Sequence, residues 1–124
     1  MTPKRTETHD RPPLSATDFH VLLALVDGAL YGYAIKKAVE AQSEGRVAPE
    51  IGSLYRILAR LTGTGLVEEA PSPDGGSSVH PGRDRKYYRL TEHGRATGRA
   101  EAERLREVLR LSPARALLLQ REGR

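Results

Sequence analysis

The order of elements predicts a mostly α protein with a small β-hairpin, arranged as a winged helix-turn-helix followed by a long C-terminal helix. Three observations carry this. Three helical segments with apolar periodicity follow one another between residues 14 and 62. Two short strand-like stretches then flank a loop rich in glycine and proline, and a long, heavily charged helical segment closes the order.

The first helix begins near Ser15, where Ser15 and Asp18 make a capping-box pattern flanked by Leu14 and Phe19 at the staple positions. Phe19, Leu22, Leu23 and Val26 follow the i, i+3, i+4, i+7 spacing, and Gly28 supplies a left-handed stop. A second helix spans about Gly32 to Gln42, with Ile35, Ala38 and Val39 inward and Lys36, Lys37 and Glu40 outward; Ser43 to Pro49 is a polar loop. The third helix runs from Pro49 or Glu50 to Thr62, proline suiting a first turn where its missing donor costs nothing. Leu54, Ile57, Leu58 and Leu61 form its buried stripe. Gly52, Arg56, Ala59 and Gly63 project oppositely, with Ser53, Tyr55 and Arg60 on the flanks. This outer face has no acidic residue after Glu50, and its small residues permit close approach to another surface.

Gly63 and Gly65 end that helix. Leu66 to Ala70 and Lys86 to Leu90 read as two strands of a hairpin around Pro71 to Arg85, a loop with three prolines and three glycines. Thr91 caps a long helix reaching about Leu111, supported by the pairs Glu101 with Arg104 and Glu103 with Arg106. Its apolar seam, Ala102, Leu105, Val108 and Leu109, is too narrow for an enclosed helix and suits one partner helix. Ser112 and Pro113 match cap and first-turn positions for a short extra helix or a bent continuation over Ala114 to Arg121. The expected organisation is a disordered arm at 1–13, a winged-helix domain at 14–90 with its wing loop at 71–85, and a dimerisation helix and tail at 91–124.

Composition narrows the function classes. A chain of 124 residues forms one domain with a small core, which association with a second copy would help. There is no cysteine, so disulfides, thiolate catalysis and the usual zinc-finger sites are excluded. The longest apolar run, Val21 to Val26, is far too short to span a bilayer, and no apolar stretch follows Lys4 and Arg5 as a secretory signal would require. A soluble cytoplasmic protein is expected, with no membrane partner. The net charge of +4 is uneven: +1 over residues 1–13, −2 over 14–70 and +5 over 71–124, densest at Arg83, Arg85, Lys86 and Arg89. Such a patch points to a polyanionic partner. His9, His20, His80 and His93 share no metal-ligand spacing and no catalytic pattern, and Gly75-Gly76 does not lead into a helix as a phosphate cradle would. No enzyme, metal or cofactor is expected.

Particular residues sharpen this reading. Leu30-Tyr31-Gly32-Tyr33-Ala34-Ile35 resembles the opening of the second helix in PadR-type transcriptional regulators. Gly52-Ser53-Leu54-Tyr55, then Leu58, Leu61 and Gly65-Leu66-Val67, resembles their third helix and its exit. Gly82-Arg83-Asp84-Arg85-Lys86-Tyr87-Tyr88-Arg89-Leu90-Thr91, with Gly94, resembles their second wing strand and the start of the last helix. The likeness spans roughly Leu14 to Leu111. It implies a dimeric bacterial transcription factor, usually a repressor, whose third helix enters the major groove of double-stranded DNA while the wing contacts the flanks and the last helix dimerises. The short C-terminal region is similar to the compact subgroup with a single dimerisation helix. The chain departs from the family pattern at Arg56 and Asp84, where proline is common, and has no tryptophan on which a ligand pocket could stack.

On this reading Ser53, Tyr55, Arg56 and Arg60 contact DNA from the recognition helix, Arg56 reaching a base edge; for Tyr55, contact and packing stay equally open. Arg83, Arg85, Lys86 and Arg89 neutralise phosphates from the wing, Arg83 and Arg85 being the better placed, each contact steepening the salt dependence by about 0.9, and the same charges also protect an edge strand. Tyr31, Tyr33, Tyr87 and Tyr88 either line an effector pocket or, the more common use, pack the helix–hairpin junction. The expected function is a homodimeric repressor on a pseudo-palindromic operator, released by a small-molecule effector on family analogy. Two alternatives remain: a winged-helix module docking onto protein, and a nucleic-acid binder without sequence preference.

Overall fold

Ser15 starts the fold, its hydroxyl accepting the Asp18 amide at 3.0 Å and capping α1, Ala16–Ala24. The structure, a computed structural model, describes residues 13–73 and 85–123. The expected arm and most of the wing loop, with Arg83, therefore lie outside the described residues. After α1 come β1 (Leu30–Tyr31), α2 (Gly32–Gln42), α3 (Ile51–Gly63), β2 (Val67–Ala70), β3 (Tyr87–Leu90), α4 (Glu92–Leu109) and α5 (Ser112–Gly123). This is the expected mostly helical winged architecture.

Two details of α1 correct the expectation. Its core stripe is Val21, Leu22 and the cap residue Leu25, whereas Leu23 and Val26 are exposed and Phe19 half-buried. Six consecutive apolar residues clothe more than one face of a helix, so spacing alone cannot say which face turns inward. The expected stop at Gly28 is also displaced. Leu25 already ends the helix, and the Leu25, Val26 and Gly28 amides fold back onto the Leu22, Leu23 and Leu25 carbonyls. Gly28 then directs the chain toward β1 at φ +152°, a conformation that a side chain disfavours.

The sheet has three strands rather than two, in the order β1-β3-β2, all antiparallel. Tyr88 faces the core from β3, opposite Glu69 of β2 and Leu30 of β1. β1 went unread because two residues cannot display a period. Between α2 and α3, Glu44 (φ 55°) and Gly45 (φ 79°) turn left-handed, and the Gly45 amide closes the helix by donating to the Glu40 carbonyl at 2.8 Å. Ser43 Oγ accepts the Val47 amide at 2.9 Å, which fixes the approach to α3.

A single core results, from Val21, Leu22 and Leu25, Ile35 and Val39 of α2, Leu54, Leu58 and Leu61 of α3, and Leu66, Val67 and Tyr88 of the wing root. Each fully buried aliphatic side chain here contributes about 1.5–3 kcal/mol. Because α3 gives three leucines to this core, its opposite face is held rigidly outward. Thr91 caps α4 as expected, accepting the Gly94 amide at 2.8 Å, and the helix packs on α1 and β3. Glu101, expected in a surface pair with Arg104, is instead buried and also accepts the Leu14 amide at 3.3 Å. The chain bends at Arg110 and Leu111 into α5, which realises the expected extra helix.

Candidate nucleic-acid interface

The outer face of α3 is built from Gly52, Arg56, Ala59 and Gly63, all exposed, along a 13-residue helix roughly 20 Å long. A Cβ added at Gly52 or Gly63 would meet nothing within 4 Å, so this side is open. No acidic residue lies within the helix. Arg56 projects from its middle and donates one hydrogen bond, to Ser53 Oγ at 3.1 Å. Among the described residues no carboxylate pairs with it. Four of its five N–H donors are free for phosphate or a base edge.

Arg60 is exposed but already engaged. Its two terminal nitrogens donate to the two carboxylate oxygens of Asp18, both at 2.9 Å. The bond to Asp18 raises the arginine pKa above its ordinary value, outweighing burial. Asp18, at the third position of α1, has only 8% of its surface exposed. The capping box is therefore half used: Ser15 caps Asp18, while the Asp18 carboxylate serves α3. No local pattern reveals Asp18 as part of the site, since the pair spans 42 positions.

Tyr55 packs at one end and is exposed at the residue level. The residue is 45% exposed, yet its hydroxyl end fills the space beside Gly32 at the start of α2, where a Cβ would lie 2.3 Å from the oxygen.

On the wing, the Arg85 guanidinium lies 4.4 Å from the centroid of Tyr31, which meets Tyr87 edge to face at 5.6 Å. Lys86 pairs with Glu69 at 3.4 Å and Arg89 with Glu68 at 2.8 Å across the strands. Such exposed pairs are worth about 0.2–1 kcal/mol. Breaking the Arg60 pair costs more, because it leaves a mostly buried carboxylate alone. Of the four tyrosines considered for an effector pocket, Tyr88 is in the core, Tyr31 and Tyr87 pack together, and Tyr33 is exposed beneath Lys37.

The four seam residues of α4 have different surroundings. Ala102 borders an apolar groove of about 300 Å³ between α1 and α4, whose walls include Phe19, Leu23, Val26 and Gly98. Leu105 is half-buried, and Val108 and Leu109 are exposed beyond the groove, followed by Leu111, Leu117, Leu118 and Leu119.

Comparison with known proteins agrees with this architecture. The profile of the family described as transcriptional regulator PadR-like matches residues 21–100. The chain is similar to a PadR-like transcriptional regulator from Bacillus cereus, with 25% identity, a TM-score of 0.63, and coverage of 83% of this chain and 90% of that one. Bacillus subtilis PadR, solved in complex with operator DNA, shares the fold at 20% identity and a TM-score of 0.58, over 73% of this chain and 47% of that one. An uncharacterised 37.1 kDa protein of transposon Tn4556 from Streptomyces fradiae is 55% identical over 47 residues, 38% of this chain. That match spans only 13% of the curated protein.

Proposed function

Since the chain belongs to the transcriptional regulator PadR-like family, we propose that it binds duplex DNA as a homodimer and represses transcription from a pseudo-palindromic operator in the cytoplasm. It is a regulator and not an enzyme. The observation that carries the DNA reading is the outer face of α3: rigidly presented, free of acid, open at Gly52 and Gly63, and carrying Arg56 without a carboxylate partner among the described residues. Inserted in the major groove, Arg56 addresses a base edge, guanine being the commonest arginine target, while Ser53 and Tyr55 lie along the groove walls and Arg60, expected to join them, stays paired with Asp18 on the flank. Arg85 and Lys86, with Arg83 beyond the described residues, meet the flanking backbone.

A homodimer places its two α3 helices about 34 Å apart, one turn of DNA. The exposed apolar residues Val108 and Leu109 support association through α4. A small-molecule effector that favours a different spacing of the two helices would release the operator. Among the described residues no helix is long and apolar enough to cross a membrane.

The test is duplex binding by fluorescence anisotropy, using the fragment upstream of the gene and a random duplex of equal length. Preference for the upstream fragment by at least about 10³-fold is expected, and Arg56→Ala removes most of it. Equal binding of both duplexes would point to a binder without sequence preference. Absence of duplex binding, with capture of a protein by the α3 face, would point to an interaction module.

A further inference from the structure

Two cations occupy α3, and they are not equivalent. Among the described residues Arg56 is bonded only to a serine hydroxyl, whereas Arg60, one helical turn later, gives both terminal nitrogens to Asp18 at 2.9 Å. Asp18 cannot easily follow Arg60 toward DNA. It sits in α1 between the Ser15 cap and the core residues Val21 and Leu22, with 8% of its surface exposed. Releasing Arg60 would strand that carboxylate without its partner among the described residues. Paired in this way, the two side chains add no net charge to the face that meets DNA, and Arg60 is held over α1 by the end that would otherwise grip a base edge.

We infer that Asp18 is a specificity-determining residue: by holding Arg60 against α1, it removes one free cation from the recognition face and leaves base readout by arginine to Arg56. This rests on α3 being the recognition helix. The consequence is weaker binding to arbitrary sequence, because non-specific affinity grows with the number of phosphates neutralised. The wing cations differ in kind, since their partners Glu68 and Glu69 are themselves exposed and easily displaced.

Asp18→Asn removes the charge that holds Arg60 and keeps the size of the side chain. In salt titrations, this variant binds a random duplex more tightly, and its slope of log affinity against log salt steepens by about 1.8, one extra phosphate contact from each protomer of the dimer. Its preference for the upstream fragment falls by roughly tenfold, because a freed Arg60 settles on non-cognate base edges as well as on cognate ones. In an Arg60→Ala background, Asp18→Asn changes neither slope nor preference. A second variant, Arg60→Gln, tests the inference without altering α1; it leaves the preference for the upstream fragment largely intact, whereas Arg56→Ala abolishes it. The inference is overturned if Asp18→Asn weakens both duplexes equally at unchanged slope, or if Arg60→Gln costs as much preference as Arg56→Ala. If instead Arg56→Ala leaves the preference untouched, the assignment of α3 as recognition helix fails, and this inference with it.

Discussion

Gly94 of α4 lies so close beneath the carbonyl of Leu66 that a Cβ at this glycine would fall 1.9 Å from the oxygen. The obstacle is backbone and cannot rotate away. The joint is further tied by the Thr91 amide, which donates to the same carbonyl at 3.2 Å, and by the Thr91 hydroxyl, which donates to the Gly65 carbonyl at 2.6 Å. The exit of α3 and the start of α4 are thus one rigid unit. Gly94→Ala must push them apart, at a cost of about 3 kcal/mol. Thermal melting by circular dichroism should show a fall in Tm of roughly 10–20 °C. A change of only a degree or two would mean that the joint yields.

Gly32 gives the contrasting case. A Cβ there meets the hydroxyl end of Tyr55 at 2.3 Å, but a tyrosine can swing aside where a carbonyl cannot. Gly32→Ala should therefore leave the stability within about 1 kcal/mol of the parent, alanine being the better helix former, while displacing Tyr55 from its seat on the flank of α3. DNA affinity then falls in the glycine variant and falls no further when Tyr55→Phe is added. A Gly32→Ala protein that melts early but binds DNA normally would show that Tyr55 serves packing alone.

Glu101 makes stability depend on acid pH. Its bond from Arg104, together with the Leu14 amide, holds the carboxyl below its ordinary value of 4.5, against the opposing effect of burial. A depressed folded-state pKa means that the stabilisation is complete above the unfolded value and is lost as pH falls through the folded one. Parent and Glu101→Gln should differ most in Tm near neutral pH, and the gap should close as pH drops from about 4.5 downward. A gap in Tm that is constant with pH would contradict this assignment.

What the sequence displays depends on whether the responsible contact is local. The two faces of α3, the Thr91 cap and the alternation of Tyr88 inward with Arg89 outward are all periodic or short-range, and the structure follows them. The inward face of α1 is not periodic, since Val21 to Val26 is apolar throughout, and the positions of α2 and α4 select which side is covered. Asp18 reads as a capping residue and Glu101 as a surface charge; their partners Arg60 and Leu14 lie 42 and 87 positions away. Arg60 was accordingly readable as a cation on an exposed helix flank, but the pair that holds it required the packing of α1 against α3.

Val108 and Leu109 are 40% and 56% exposed at the far end of α4, beyond the part that packs on α1 and β3. Neither belongs to the core, so a charge placed there should leave the protomer folded. In the proposed homodimer the same charge would be buried against a second copy without a partner. Leu109→Glu should therefore sediment as a monomer at micromolar concentration with an unchanged circular dichroism spectrum. Its affinity for the upstream fragment should fall roughly 10²-fold or more, since the second half-site no longer binds intramolecularly. The salt slope should drop to about half, each protomer supplying half of the phosphate contacts. A folded Leu109→Glu protein that stays dimeric and keeps full affinity would place the dimer contact elsewhere on the chain.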